Sequence, residues 1–297
     1  MKKVEKVILP IAGLATRFLP LSKGVPKEIW PLVDKPVLVY ILEEILKSSF
    51  KEIILVLSPQ KKQFWDYLSK ENLNLKKILK ERGKKELLKE LEEFEKSFKK
   101  INFKEVFQKK PLGDGDAILK AKNLIKNEPF AVAFGDDVIE SKRPALLQMV
   151  NVFKKYQKPV LGLFRVEKKK VTSYGIVKVE KLKERIYRIR EIVEKPKIKQ
   201  APSNLAIVGR YILTPEIFDY LSYLRKIKKD EKKEIIWAEA LQLMLKENKE
   251  ILGYCIEGKW LECGNKIEYL KSNLYLTLKK SPYKKELRKF ARKILRA

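Results

Sequence analysis

Across the first 140 residues, short β-rich runs alternate with stretches of helical period, and no other feature limits the fold as much. "KVILPIA" (6–12) reads as a strand, and "KPVLVYILEEILKS" (35–48) places apolar residues at helical spacing. "EIILVLS" is again a strand, "QKKQFWDYLS" a helix, "FKEVFQ" a strand, "GDAILKAKNLI" a helix, and "PFAVAFGDD" a strand ending in acids. Such units join by right-handed crossovers into a mainly parallel sheet flanked by helices, an α/β fold. Residues 72–100 interrupt the pattern with a long charged helical stretch broken at Gly83. After residue 158 the strands "PVLGLFRV", "YGIVKVE", "IYRIREIVEKP" and "LAIVGRYILT" follow in quick succession, so part of the sheet is expected to be mixed. Helices return at 215–225 and 235–247, then a strand "ILGYCIE" and a helix from 266. The expected organisation is one domain over 1–278, with its helical insertion at about 72–100, followed by a basic C-terminal helix over 279–297. That tail reads as a solvated helix or subunit contact rather than a membrane anchor.

The chain has 297 residues, 45% of them hydrophobic, ample for a buried core. Its 67 Lys and Arg against 38 Asp and Glu give a net charge of +29, which favours anionic partners. The lysines are scattered and interleaved with Glu, a pattern of surface preference that does not call for nucleic acid. Histidine is absent, which removes the commonest general base and the commonest transition-metal ligand. Cys255 and Cys263 form no CxxC pair and read as free thiols of a reducing cytosol. The N-terminus imitates a secretory signal, but Pro10 interrupts the apolar run and Arg17 and Lys23 follow it, so a buried first strand is expected. No apolar stretch approaches the length of a membrane span. A cytoplasmic protein without membrane or nucleic-acid partners is therefore expected.

In an open α/β sheet, ligands bind beyond the carboxyl ends of the strands. There the first strand breaks into Ala12–Gly13–Leu14–Ala15, with Arg17 directly after and Lys27 ten residues further on. Small residues let backbone N–H groups approach an anion, and the two cations could neutralise a polyphosphate. The loop is neither a P-loop nor GxGxxG. A second turn, "FQKKPLGDGDAI", carries Gln108 and Gly113. Glutamine has a donor and an acceptor on one amide and can read a nucleobase edge. Asp136 and Asp137 end a strand where a Mg²⁺ ion would find carboxylate oxygens, and Glu262 in "KWLECGNK" is a further candidate ligand. Plainer roles are also expected: Asp137 bracing its turn, Asn204 as a buried loop-ordering amide, and Trp30, Trp237 and Trp260 as core or pocket wall.

Taken in order, "PIAGLATRFLP", "PKEIWPLVDKPVLVYILEE", "ERGKKELL", "PLGDGDAIL", "PFAVAFGDD", "YGIVKV", "VEKP" and "APSNLAIVGRYILTPEIFD" resemble the bacterial UTP–glucose-1-phosphate uridylyltransferases, or UDP-glucose pyrophosphorylases, from about residue 4 to 278. The resemblance implies a Rossmann-like (GT-A type) nucleotidyltransferase core, and the helical insertion favours uridylyl over thymidylyl transfer. It also implies a Mg²⁺-assisted in-line attack of glucose 1-phosphate on the α-phosphate of UTP, by a nucleophile that is already an anion and needs no general base. By similarity, residues 12–15, Gln108, Gly113 and Asp136 hold the nucleotide, and Arg17 and Lys27 stabilise the triphosphate and leaving pyrophosphate. Lys195 binds the sugar phosphate, Glu194 accepts sugar hydroxyls with the Gly175 backbone nearby, and Asp136 and Glu262 hold the metal. The family also implies a homo-oligomer, dimer or tetramer.

The chain departs from that pattern at several points. The family loop carries a second glycine where Ala15 stands, and a methyl is expected to be tolerated only with a negative φ. The usual "GLGHA" turn is "GDGDA", so Asp114 and Asp116 bring negative charge near the nucleotide. "GEIQLTDA" is replaced by "KKEIIWAEA" (232–240), keeping Glu234, and the expected metal-binding Asp is Glu262. Three outcomes stay open on sequence: retuned geometry, another sugar 1-phosphate or nucleotide, or a nucleotide-binding regulator without turnover.

Overall fold

The computed structural model describes residues 2–99, 101–228 and 233–295. The strands are β1 (Lys6–Pro10), β2 (Pro31–Leu32), β3 (Lys35–Pro36), β4 (Glu52–Leu57), β5 (Asn102–Phe107), β6 (Phe130–Ala133), β7 (Asp137–Glu140), β8 (Val160–Arg165), β9 (Gly175–Lys181), β10 (Ile186–Glu194), β11 (Leu205–Leu213), β12 (Leu252–Cys255) and β13 (Lys259–Glu262). The helices are α1 (Val37–Lys47), α2 (Lys62–Ser69), α3 (Leu73–Glu81), α4 (Lys85–Lys99), α5 (Asp114–Lys120), α6 (Lys122–Ile125), α7 (Ala145–Tyr156), α8 (Ile217–Ile227), α9 (Trp237–Lys246), α10 (Lys266–Lys279) and α11 (Lys284–Ile294). Lys232 of the 232–240 segment and the last two residues of the tail lie outside the described residues.

Nine strands form one sheet in the order β5-β4-β1-β6-β11-β8-β12-β10-β9. The first four run parallel. β11 then turns the sheet antiparallel against both β6 and β8, and β10 pairs antiparallel with β12 and β9. The sheet is thus mixed, with its parallel half built from the alternating first part of the chain. Both faces are covered, which explains the near-continuous apolar strands. Val7 and Leu9 of β1 pack in one core cluster with Ile41 and Ile45 of α1 and Met149 of α7, while Ile8 faces a second cluster with Ile118, Leu221 and Leu241.

Gly83, at φ +65°, separates α3 from α4 as expected, with the Lys84 N–H donating back to the Leu79 carbonyl. Helix α7 was not expected from the sequence. Its apolar positions Leu146, Met149, Val150 and Phe153 follow helical spacing after Pro144, a signal obscured by the strand runs on either side. Asn204 is exposed rather than buried; its carbonyl oxygen accepts from Arg165 at 3.2 Å at the sheet rim. Among the described residues no helix is long and apolar enough to cross a membrane.

Candidate functional site

A cleft of about 440 Å³ opens beyond the carboxyl ends of the parallel strands. It gathers the 12–15 loop, Arg17, Lys27, Gln108, Gly113, Asp136, Glu194 and Lys195 from segments far apart in the chain. The Ile11 N–H still donates to the Val56 carbonyl, so the loop begins where the β1 ladder ends. Ala12 is buried, while Gly13 and Leu14 are exposed. Ala15 has φ +54° and ψ +39°, which overturns the expectation of a negative φ: the chain holds an alanine in the left-handed region. The following turn fixes it there, with the Phe18 N–H donating to the Ala15 carbonyl at 2.9 Å. Arg17 leaves this turn exposed and facing the cleft.

Lys27 sits deeper, its ammonium 2.5 Å from Asp136 Oδ2. Burial lowers the ammonium's pKa, but the charges of Asp136, Glu28 and Asp137 outweigh that and raise it. Burial likewise raises Asp136, and Lys27 with Arg17 pulls it below the usual carboxylate value. Both groups therefore stay charged. Behind them Glu28 accepts from Lys61 on both oxygens, at 2.9 and 2.8 Å. Asp136 reaches this position because Gly135 passes close to the first loop; a Cβ there would lie 2.7 Å from Ile11 Cγ2.

Asp137 does not face the cleft. It accepts from Trp260 Nε1 at 2.6 Å and from the Gly209 N–H at 2.9 Å, the bracing role expected of it. Burial and the neighbouring Asp136 push its pKa up to about 7. Beneath it Arg210, fully buried in β11, pairs with Glu44 of α1 at 2.8 Å and donates to the Asp137 carbonyl at 2.7 Å. Sequence reasoning missed this pair. The signal was there: one acid in an otherwise apolar helix face, and one arginine inside "LAIVGRYIL".

At one end of the cleft, Gly113 adopts φ +95°, and a Cβ on it would lie 2.6 Å from the Ile235 carbonyl oxygen. Only glycine fits there. The Gly115 N–H donates to that carbonyl, and the Ile235 N–H donates to the Leu112 carbonyl, clamping the turn to the 233–236 segment. The two departing acids have defined partners. Asp114 accepts from the Trp237 N–H at the start of α9, and burial pushes its carboxyl up to about 6. Asp116 is fully buried, bound to Gln108 and to Arg225.

At the opposite end Lys195, at φ +45°, pairs with Glu194 at 3.1 Å, and its N–H donates to the Tyr174 carbonyl. Gly175 sits opposite Glu194 in the β9–β10 register; a Cβ on it would come within 3.0 Å of Glu194 Oε2. Gly175 and Glu262 do not line the main cleft. Glu262 faces a neighbouring cavity of about 530 Å³, where Tyr174 and Asn265 donate to its two oxygens and burial raises its pKa. A Cβ on Gly264 would be 3.2 Å from Asp136 Oδ2 and 3.6 Å from Glu262 Oε1, so the two carboxylates flank that glycine. Among the described residues no three His, Cys, Asp or Glu side chains are disposed to hold a metal. Asp136 Oδ2 is held by Lys27 and both Glu262 oxygens by Tyr174 and Asn265, so a hard cation between the two carboxylates would take most of its oxygens from phosphates and water.

The nucleotidyl transferase family model matches residues 6–278. The chain is 39% identical over 294 residues, 99% of either chain, to the UTP–glucose-1-phosphate uridylyltransferase of Staphylococcus haemolyticus. It superposes on a UDP-glucose pyrophosphorylase solved in complex with UDP-glucose, with a TM-score of 0.81 at 36% identity, covering 93% of this chain and 100% of that one. It also superposes on a UTP-bound UGPase from Acinetobacter baumannii, with a TM-score of 0.86 at 31% identity, covering 97% and 98%. These matches run along almost the whole length, and the chain belongs to the nucleotidyl transferase family.

Proposed function

We propose that the chain transfers UMP from UTP to glucose 1-phosphate, releasing pyrophosphate. The observation that carries this reading is the charged floor of the cleft, Lys27 on Asp136 with Arg17 above, placed between a base-reading amide and the Glu194–Lys195 pair. The 1-phosphate oxygen of the sugar forms a bond to the α-phosphorus of UTP. The bond from that phosphorus to the bridging oxygen breaks, and pyrophosphate leaves with the electron pair. The attacking oxygen is already anionic, so no proton has to be removed, which suits a chain with no histidine. The work left to the protein is positioning and charge stabilisation. Arg17 and Lys27 neutralise the triphosphate and the leaving group. Lys195 meets the sugar phosphate, and Glu194 accepts sugar hydroxyls once its pairing with Lys195 opens. Asp136 and Glu262 would hold Mg²⁺, which when bound neutralises phosphate charge beside Lys27. Residues 1–278 would form the catalytic unit, with 279–297 as an appended basic helix.

Two finer points belong to the same reading. Exposed Ile267, Leu270 and Leu274 form a stripe on α10, and Phe290 and Ile294 are exposed on α11, so we infer a homo-oligomer, dimer or tetramer, to be checked by light scattering. The two free cysteines suit the cytoplasm. The activity is tested by pyrophosphate release from purified protein with Mg²⁺ and a panel of nucleoside triphosphates and sugar 1-phosphates. UTP with glucose 1-phosphate is the pair expected to turn over fastest. Faster turnover with another pair would move the substrate assignment, and UTP binding with no turnover anywhere would leave a regulator.

A further inference from the structure

Asp116 is a fully buried carboxylate beside the base end of the cleft, and the transfer chemistry does not use it. Its Oδ2 accepts from Gln108 Nε2 at 3.0 Å, and the same nitrogen donates to the Gly113 carbonyl at 2.9 Å. Both amide hydrogens of Gln108 thus go to groups within the protein. Both partners are acceptors, so the amide has one workable orientation. Turned over, its carbonyl oxygen would face a carboxylate and a carbonyl.

Neither acceptor can move aside. Gly113 is wedged against Ile235, and Asp116 Oδ1 accepts from Arg225 at 3.1 Å, with Lys120 at 3.8 Å. What remains for the cleft is Gln108 Oε1, an acceptor. We propose that Asp116 is a positioning residue for base selection: it locks the Gln108 amide with its carbonyl toward the base, so that the site takes a pyrimidine carrying an N–H at N3 and rejects cytosine. Uracil N3–H donates to Oε1, whereas cytosine N3 is itself an acceptor and would face it lone pair to lone pair. Thymine shares the N3–H, so the lock does not separate uracil from thymine. The inference rests on the uridylyl-transfer reading and adds the device that enforces its base.

The test is competition between UTP and CTP in one reaction of full-length protein with glucose 1-phosphate and Mg²⁺. The ratio of the two nucleotide-sugar products reports relative kcat/KM whatever fraction of the protein is active. Asp116→Asn offers Gln108 a donor as well as an acceptor and lets the amide turn over. The UTP preference is expected to fall by about tenfold or more. An unchanged ratio in an Asp116→Asn protein that still turns over would overturn the lock. A wild-type protein with no preference for UTP would instead sink the uridylyl reading, before any variant is compared. Should Asp116→Asn not fold, the wild type decides. Its Gln108 side-chain amide protons, assigned by their loss in Gln108→Leu, should be protected from solvent exchange with and without UTP. Rapid exchange in the free protein would show that the N–H end faces the cleft, against the proposal.

Discussion

At the end of the cleft proposed to take the base Gln108 and Asp116 are buried and Gly113 is wedged against a neighbouring backbone, whereas at the end proposed to take the sugar the Lys195 and Glu194 side chains are 51% and 40% exposed and pair with each other. In the proposed reading base recognition depends on which way a single amide points, and a fixed, desolvated partner holds that orientation. In the same reading the Lys195–Glu194 pair gives way when a sugar phosphate arrives. A half-exposed pair is worth at most about 1 kcal/mol, so opening it costs little. Rigidity and readiness to exchange are separated along one groove, and Lys27 and Asp136 stand between them.

The sharpest way to break this comparison is to remove the scaffold under both ends. Arg210→Met leaves Glu44 as an uncompensated buried charge and frees the Asp137 carbonyl. Loss of one partner of such a pair is expected to cost about 3–5 kcal/mol in urea unfolding. A loss under about 1 kcal/mol would mean that the pair does not hold the sheet at the switch from parallel to antiparallel. Next in size is Lys27→Ala, which removes the cation shared by the two ends. Its kcat/KM is expected to fall by roughly 10²–10³, as for loss of one preorganised charge-stabilising group. A fall confined to KM for UTP would make Lys27 a ground-state binder instead.

The parts of this arrangement that were legible in the sequence are those carried by local pattern. Period-2 and period-3.6 runs placed the parallel strands and α1, and Gly83 marked the break between α3 and α4. Ala12–Ala15, Arg17, Lys27, Gln108, Gly113 and Asp136 stood out as turn and charge chemistry at strand ends, and they do share one cleft. What escaped was set by partners distant in sequence. Asp114 and Asp116 read as loose negative charge until Trp237 and Arg225 appear beside them. Glu262 lies in the neighbouring cavity because Tyr174, 88 residues away, holds it there. The Glu44–Arg210 pair spans 166 residues and joins a helix to β11, the antiparallel strand beside the parallel half.

The base end can be probed by pH without touching the reacting groups. Burial pushes the Asp114 carboxyl up to about 6 from its ordinary value of about 3.9. A carboxyl raised in the fold is held most favourably when protonated. Its contribution is fully present below its unfolded pKa and is lost as pH rises through the folded value. Asp114→Asn keeps an acceptor for the Trp237 N–H and removes that titration. Relative to wild type, the variant should gain up to about 2 kcal/mol of stability between pH 4 and pH 7.5. A gap between the two proteins that does not change with pH would show that Asp114 does not titrate in this window.

The smallest expected effect is at the first loop. Ala15 keeps φ +54° although its methyl makes that conformation cost about 1–2 kcal/mol. Glycine would remove the strain but adds about 0.5–1 kcal/mol of chain entropy to be lost on folding. Ala15→Gly should therefore stabilise the protein by no more than about 1 kcal/mol in thermal or urea unfolding. Turnover should change by less than about twofold, because the N–H groups of the loop keep their direction. A larger rise in activity would mean that the methyl obstructs the triphosphate. A loss of stability would mean that it packs usefully against the turn ending at Phe18. In either of those cases the base end would be tuned at its entrance as well as at Gln108, and the contrast with the exchangeable sugar end would begin at the first strand.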